Sequence, residues 1–310
     1  MNEQGRQLGA FLFCALSVPA MMLLPSLHPA LVVAATMAAC WLWQMPGQKN
    51  NAAIVAWGMA LTAVLCLGAV VRWAQSAYPS AKNAWTLGLI LLAMAAYASR
   101  GGLQPLLRTG AICFFFLVAL DATVLAFGLG NITTVRLAVW HKPDSSVLHF
   151  VWLLLPLAAY QLGTPQPSGR WRAAWAAICI VPCLVCWLSL SGAVVSGSEF
   201  PFYTLTKSIS VIGVMERFEV LLSAALTAGI FCLMGIFTHI CGDTLEKRVP
   251  KAGKSAYALT FALGAAASLL PKAWLQAAVA GFAVIFWGIV PIATQIAGSR
   301  KKDEKNEKKC

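Results

Sequence analysis

Residues Leu8–Leu27 read LGAFLFCALSVPAMMLLPSL, twenty positions without a charge and with a proline halfway along. A surface helix of a soluble protein carries a polar stripe opposite its apolar one, and none is present here. At 1.5 Å per residue, about 20 residues reach across the roughly 30 Å hydrocarbon core of a bilayer. The rest of the chain repeats the pattern. Of 310 residues, 59% are apolar and 11% charged, and mean hydropathy is +0.74. A soluble domain needs about a quarter charged residues, so lipid must face much of this surface. The composition predicts an all-α, polytopic membrane protein and leaves no room for a separate soluble domain.

A membrane-length reading gives ten spans. The first five are Leu8–Leu27, Pro29–Gln44, Ala52–Gln75, Ala84–Ala98 and Thr109–Gly130. After a polar connector come Val147–Leu162, Trp171–Val195, Val214–Ile240, Ala256–Leu270 and Ala273–Ala297. Pro25, His28 and Pro29 mark a turn between the first two, favouring two spans over one re-entrant hairpin. The expected organisation is a single transmembrane domain, 1–298, followed by a disordered basic tail, 299–310. The N-terminus lacks a basic run followed by a small-residue cleavage site, so no removable signal peptide is expected.

Lys and Arg orient the spans. With an inside N-terminus, 16 of the 23 fall on the inner side, among them Arg6, Arg100, Arg108, Lys247, Arg248 and the cations of the tail. The other seven, including Arg72, Lys207, Arg217 and Lys272, fall outside or near the outer face. Both termini are therefore expected in the cytoplasm. The same asymmetry accounts for the net charge of +12 without nucleic acid.

Ten spans divide into halves of five, 8–130 and 147–297. Because five is odd, the second half enters the membrane from the other side, which predicts an inverted repeat. In such folds the first helix of each half is broken near the midplane, and freed backbone groups form a ligand site. Pro19, preceded by Ser17 and Val18, lies midway along the first helix, and Pro156 lies midway along the sixth. Each removes a backbone donor and releases a carbonyl one turn earlier. Ser17, Val18, Pro19 and Pro156, with Trp152 and Tyr160 one turn to either side of Pro156, are the candidate ligand-binding residues. Small-molecule recognition and simple proline kinks both remain open on this reading.

Charges within the spans are expensive and tend to be functional. Asp121 is the carboxylate nearest the middle of a helix. It could be protonated, paired with Arg72, part of an ion or proton path, or a neutral acid bonded to a neighbouring helix. Glu216, Arg217 and Glu219 open the eighth span, where carboxylates suit the helix dipole and Arg217 could close a local pair. These four are candidate ion, proton or signalling residues. Ten cysteines lie mostly inside apolar runs, where cysteine behaves as a small hydrophobe. The four histidines have no ligand spacing. No catalytic constellation, metal site or cofactor is expected, so the chain reads as something other than an enzyme.

Three stretches resemble those of a known family. Phe200-Pro201-Phe202-Tyr203-Thr204-Leu205-Thr206-Lys207-Ser208-Ile209-Ser210, leading into Glu216-Arg217-Phe218-Glu219, resembles the segment of spore germination permeases, the B subunits of nutrient germinant receptors. Tyr97–Arg108, with Gly102, Gln104 and Pro105, resembles that family's connector between helices four and five. Gly5-Arg6-Gln7-Leu8, opening a helix that ends at Leu24-Pro25, resembles its first helix. The matches fall in family order across nearly the whole chain. The family belongs to the amino acid–polyamine–organocation transporter superfamily, so the resemblance implies a LeuT-like five-plus-five fold. The chain departs from the pattern at Ser17-Val18, where a glycine is usual, and at Gln104, where a glutamate is usual.

The resemblance implies a sensor in the spore inner membrane. It would bind a small nutrient, an amino acid by expectation, between helices one, three, six and eight. The signal would pass to A-type channel subunits and C-type lipoprotein subunits. The alternative on the same scaffold is a secondary transporter of amino acids or amines, coupled to protons through Asp121.

Overall fold

In the computed structural model the described residues are 3–44, 53–77, 84–128, 146–159, 162, 167–190, 194–195, 201–208 and 218–294. No strand occurs among them. The helices are α1 (Glu3–Met22), α2 (Pro29–Leu42), α3 (Ala53–Ala77), α4 (Ala84–Ser99), α5 (Leu103–Gly128) and α6 (Leu155–Ala159). They continue as α7 (Gly169–Ser189), α8 (Pro201–Ser208), α9 (Phe218–Arg248), α10 (Ala256–Ala267) and α11 (Lys272–Ala283). A 3-10 stretch, Ser146–Leu154, leads into α6, and a π-helical turn, Val284–Ile289, extends α11.

Among the described residues, six helical segments are long and apolar enough to cross a membrane: Glu3–Ser26, Ala53–Ala74, Leu103–Phe127, Gly169–Ser189, Ser223–Arg248 and Lys272–Thr294. Shorter apolar helices cover Pro29–Leu42, Trp85–Ser99 and His149–Ala159. The chain is thus an all-helical integral membrane protein. Helix is the economical choice, because lipid offers no partner to an unpaired backbone group. Large apolar side chains that face outward, such as Ile112 and Phe115 on α5 and Trp274 on α11, suit lipid rather than water.

α1 forms the centre, with every residue from Leu8 to Pro25 buried. It packs on α5, α7 and α9. Named contacts give the directions. Gln104 donates to Gln7 and Phe114 packs on Phe13, so α5 runs parallel to α1. The Trp175 and Trp187 indoles donate to the Gly9 and Pro25 carbonyls, so α7 is parallel as well. α9 is antiparallel, with Gly229 beside Val18 and Gly235 beside Phe11. α2 opposes α7, with His28 on Trp187 and Trp43 on Trp175. α3 opposes both α11, through Ala69 near Val279 and Gly58 beside Phe286, and α4, through Val71 beside Gly88. α10 starts with Tyr257 against Gly242 and ends with Ala267 against Gly68. Taken in chain order, α1 to α5, the 146–159 segment, α7, α9, α10 and α11 alternate in direction. Only the short α8 falls outside the alternation.

This alternation gathers Arg6, Arg100, Arg108, Arg170, Lys247 and Arg248 at one end of the bundle, hereafter the basic end. Arg72 and Lys272 lie at the opposite end. The turn between α1 and α2 is at that end too. There His28 caps α2, its Nδ1 accepting from the Ala30 N–H at 3.3 Å, and burial holds its imidazole below the ordinary value. At the basic end α4 stops where Gly102 takes a φ of 89° and its N–H closes onto the Ser99 carbonyl, a left-handed geometry that glycine adopts without strain.

Two expectations change. α1 passes through Pro19 without a break, because Leu23 N–H bonds the Pro19 carbonyl at 2.9 Å and packing on all sides holds the helix. The sixth span is not one regular helix. It runs as 3-10 from Ser146 to Leu154 and becomes α-helical only at Leu155, so Pro156 sits at the second helical position, where a missing N–H costs little. The break expected in both halves is therefore present in one.

Candidate functional site

The candidate residues of the first half sit in a sealed crossing. Ser17 and Val18 are fully buried, and the Ser17 hydroxyl is spent locally, donating to the Cys14 carbonyl at 2.6 Å. α9 meets α1 here through Gly229. A Cβ at position 229 would fall 2.8 Å from Val18 Cγ2, 2.9 Å from the Cys14 carbonyl oxygen and 3.0 Å from Ser17 Oγ. Small residues permit this close backbone approach, the main source of helix affinity where lipid is as apolar as the side chains. The same level holds three thiols from three helices, Cys14 of α1, Cys113 of α5 and Cys232 of α9, which lie close to one another. Cys14 Sγ also points to the Gly110 carbonyl at 3.4 Å. No group able to hold a metal ion occurs among the described residues.

The second half is built differently. Trp152, on the 3-10 stretch, is the hub of an aromatic cluster. Its ring centroid lies 4.4 Å from Trp73 of α3, 6.2 Å from Phe237 of α9 and 6.4 Å from Trp287 in the π-helical turn. Phe237 and Trp287 stack 5.7 Å apart. Large, rigid rings joined edge to face leave gaps that aliphatic side chains would fill. A cleft with about 20 Å³ of free space opens beside them, lined by Ala69, Trp73, His149, Val151, Trp152, Gln276 and Val279. His149 Nδ1 is buried and has no hydrogen-bond partner. Pro156 is buried just beyond, and its missing N–H leaves the Leu153 carbonyl without a 3-10 partner. The Trp43 indole fills that vacancy, donating at 2.9 Å and pinning the broken helix to the end of α2.

Asp121 stands apart from both places. It faces inward on α5 between the fully buried Leu117 and Val124, at 4% exposure, and neither carboxyl oxygen has a hydrogen-bond partner. The pairing with Arg72 does not form. Arg72 lies at the end opposite the basic one and donates to the Ser268 and Leu270 carbonyls, capping the turn between α10 and α11. The alternative of a neighbouring helix bonded to Asp121 is likewise not realised. A buried polar group left without a partner costs about 1–3 kcal/mol.

The fold thus lays α1 against the 146–159 segment, bringing the Ser17–Pro19 and Trp152–Pro156 regions into one bundle core. Asp121 is carried on a different helix. Tyr160, Glu216 and Arg217 lie outside the described residues, and Glu219 is placed only as the second residue of α9. At the basic end Gln104, on α5, donates to Gln7 at 3.1 Å, and Gln7 donates to Glu3 at 3.2 Å, tying α5 to the start of α1. Sequence reading had no signal for Trp73, Gln276 or Gly229, because each matters only through a helix distant in the chain. No family model matches the chain, and no curated protein matches it in sequence.

Proposed function

We propose that this chain is the membrane subunit of a spore germinant receptor, sensing a small nutrient and passing the signal to A-type and C-type partner subunits. One observation from the fold carries the scaffold part of this reading. Several of the principal helix contacts, though not that of α1 on α9, pair off between halves when each helix is matched to the one five spans later. α3 on α4 corresponds to α9 on α10, α4 on α9 to α10 on α3, and α5 on α9 to α11 on α3. α1 on α5 corresponds to the 146–154 stretch on α11, and α1 on α7 to that stretch on α2. Matched helices run in opposite directions. This pattern supports ten crossings in a five-plus-five inverted repeat, with the basic end and both termini in the cytoplasm. The 200–219 segment and the Tyr97–Arg108 connector support the receptor over other proteins of the same scaffold.

Ligand occupancy needs only to favour one conformation over another to signal. The Trp152–Pro156 break is the flexible partner in this reading, and the sealed α1–α9 crossing is the fixed one. A deletion strain exposed to a panel of single nutrients tests it: loss of the response to one nutrient class, restored by the intact gene, is expected. Normal germination on every nutrient would sink the sensor reading. The unpartnered Asp121 favours a second reading, a proton-coupled carrier of amino acids or amines. Uptake of labelled amino acid against a gradient by the purified chain in liposomes, lost in Asp121→Asn, would establish that one instead.

A further inference from the structure

The outward faces of the bundle differ in height. On α5 the apolar face opens after the exposed Arg108 and runs through Ile112 and Phe115 to Phe127. Phe127 lies nineteen residues beyond Arg108, a rise of about 28 Å and close to the roughly 30 Å hydrocarbon core of a bilayer. The 23-residue segment Lys272–Thr294 likewise rises about 33 Å. α4 is shorter. Its exposed Thr86, Ile90, Met94 and Tyr97 fall on one helical face, bounded by Trp85 at one end and Arg100 at the other. Tyr97 follows Trp85 by twelve residues, a rise of only about 18 Å. α10 lies alongside, with Gly264 beside Leu92 of α4, and its 12 residues also rise about 18 Å. It carries Leu259 and Leu263 outward between the same two levels. Lys254 is exposed at the basic end, and at the other end the Trp85 indole donates to Ser268 Oγ at 3.2 Å.

We propose that the α4–α10 face is a docking surface for phospholipids with short acyl chains, and that the bilayer is thinner there than beside α5. Tryptophan and tyrosine settle at headgroup level, with the ring against hydrocarbon and the polar tip in water. On α4 they mark that level at both ends of one helix. An apolar face shorter than the hydrocarbon core is accommodated by side chains that reach outward, by protein cover, or by thinning of the bilayer. Tilt makes the shortfall worse, because it lowers the height a helix spans. Long flexible stems are present at the basic end, on Arg100 and Lys254. At the other end the Trp85 indole is tied to Ser268 and cannot reach further. Charge decides between lipid and protein as the cover. Arg100 and Lys254 are exposed, and neither is ion-paired among the described residues. Anionic phosphates of the headgroups complement them at the level where the apolar face stops. The inference takes α4 and α10 as crossings, as the ten-span reading does, and adds the lipid that fits them.

The test reconstitutes the full chain in bilayers and lets four lipids compete with brominated dioleoyl-phosphatidylcholine, which quenches tryptophan on contact. In order of lengthening chains they are dimyristoleoyl-, dipalmitoleoyl-, dioleoyl- and dierucoyl-phosphatidylcholine. The share of quenching that disappears in Trp85→Phe reports the α4–α10 face, and the share that disappears in Trp274→Phe reports the taller face of Lys272–Thr294. With about 10 Å of difference in height, the shortest lipid should displace the quencher at Trp85 about fivefold or more better than the longest. At Trp274 the order should be flat or reversed. Trp85→Leu combined with Tyr97→Leu lengthens the apolar face and should move the lipid of highest melting temperature toward longer chains. An unchanged helical circular dichroism spectrum qualifies that variant; without it, the competition at Trp85 decides alone. Equal displacement by all four lipids at Trp85, or a preference for the longest, overturns the inference. So does the absence of quenching at Trp85, which would mean that protein covers the face. Labelling of Thr86→Cys and Arg100→Cys by a membrane-impermeant maleimide judges the crossing separately. Reaction from opposite sides upholds α4 as a span even where the lipid preference fails, and reaction from one side ends the ten-span reading and the inference with it.

Discussion

The α1–α9 crossing and the Trp152 cleft lie in one bundle, yet they are built to opposite rules. At the crossing, Cys14, Ser17, Val18 and Gly229 are small, the helices meet almost backbone to backbone, and the proline in α1 is absorbed without a break. At the cleft, four large rings pack edge to face or stack, the helix changes type at Pro156, and an acceptor is left unpaired. The difference teaches where a bundle of this kind is tightly packed and where it leaves space. Close packing of small residues stores its stability in many weak contacts that are lost together. Aromatic packing over a broken helix leaves a cleft beside the rings that the crossing lacks.

The sharpest way to break the comparison is to fill the crossing. Gly229→Ala places a methyl against the Cys14 carbonyl and Val18, and should destabilise the protein by about 1–3 kcal/mol in thermal unfolding in detergent. An unchanged melting temperature would mean that the crossing is looser than its distances imply. Asp121→Leu should act in the other direction. Removing a buried polar group that has no partner should stabilise by about 1–3 kcal/mol in the same assay, while any function of the carboxyl is lost. A destabilised Asp121→Leu would reveal a partner for the carboxyl and end the idea of a stored polar cost.

Smaller effects sharpen the contrast. Trp43→Phe removes the indole donor that holds the Leu153 carbonyl and should cost about 0.5–1.5 kcal/mol. Faster hydrogen exchange confined to 146–159 is the expected signature, and uniform exchange across the bundle would argue that the break is not held from α2. Smallest of all is Ser99→Ala. It deletes a 2.8 Å hydrogen bond between the Ser99 and Thr238 hydroxyls of α4 and α9, for about 0.6 kcal/mol. A double-mutant cycle with Thr238→Ala should return a coupling of that order.

Much of the architecture was legible in the residues themselves. Leu8–Leu27 announced a span, and α1 occupies it; Pro25, His28 and Pro29 announced a turn, and the chain turns there. The helix ends were less legible. α5 begins at Leu103 rather than Thr109, and α9 continues to Arg248 past Ile240, because polar residues extend a helix beyond the apolar stretch once its backbone bonds are already running. The candidate site was legible in part. Pro156 marks a real change of helix type, whereas Pro19 does not, and the two differ in their surroundings rather than in their own chemistry. A proline frees a carbonyl in either place, but a helix walled in on every side has nowhere to go.

Composition and charge, which act residue by residue, determined by themselves that the chain lives in lipid as helices and that most of the described cations gather at one end. Hydropathy along the chain was enough to predict helices long and apolar enough to cross a membrane, since a backbone in hydrocarbon must close its own hydrogen bonds. Only the tertiary structure decided that Arg72 caps a distant turn instead of meeting Asp121, that Gly229 seals α9 onto α1, and that Trp73, His149 and Gln276 converge on one cleft. Those facts depend on which helix lies beside which, and the sum of many weak packing contacts between segments far apart in the chain makes that choice.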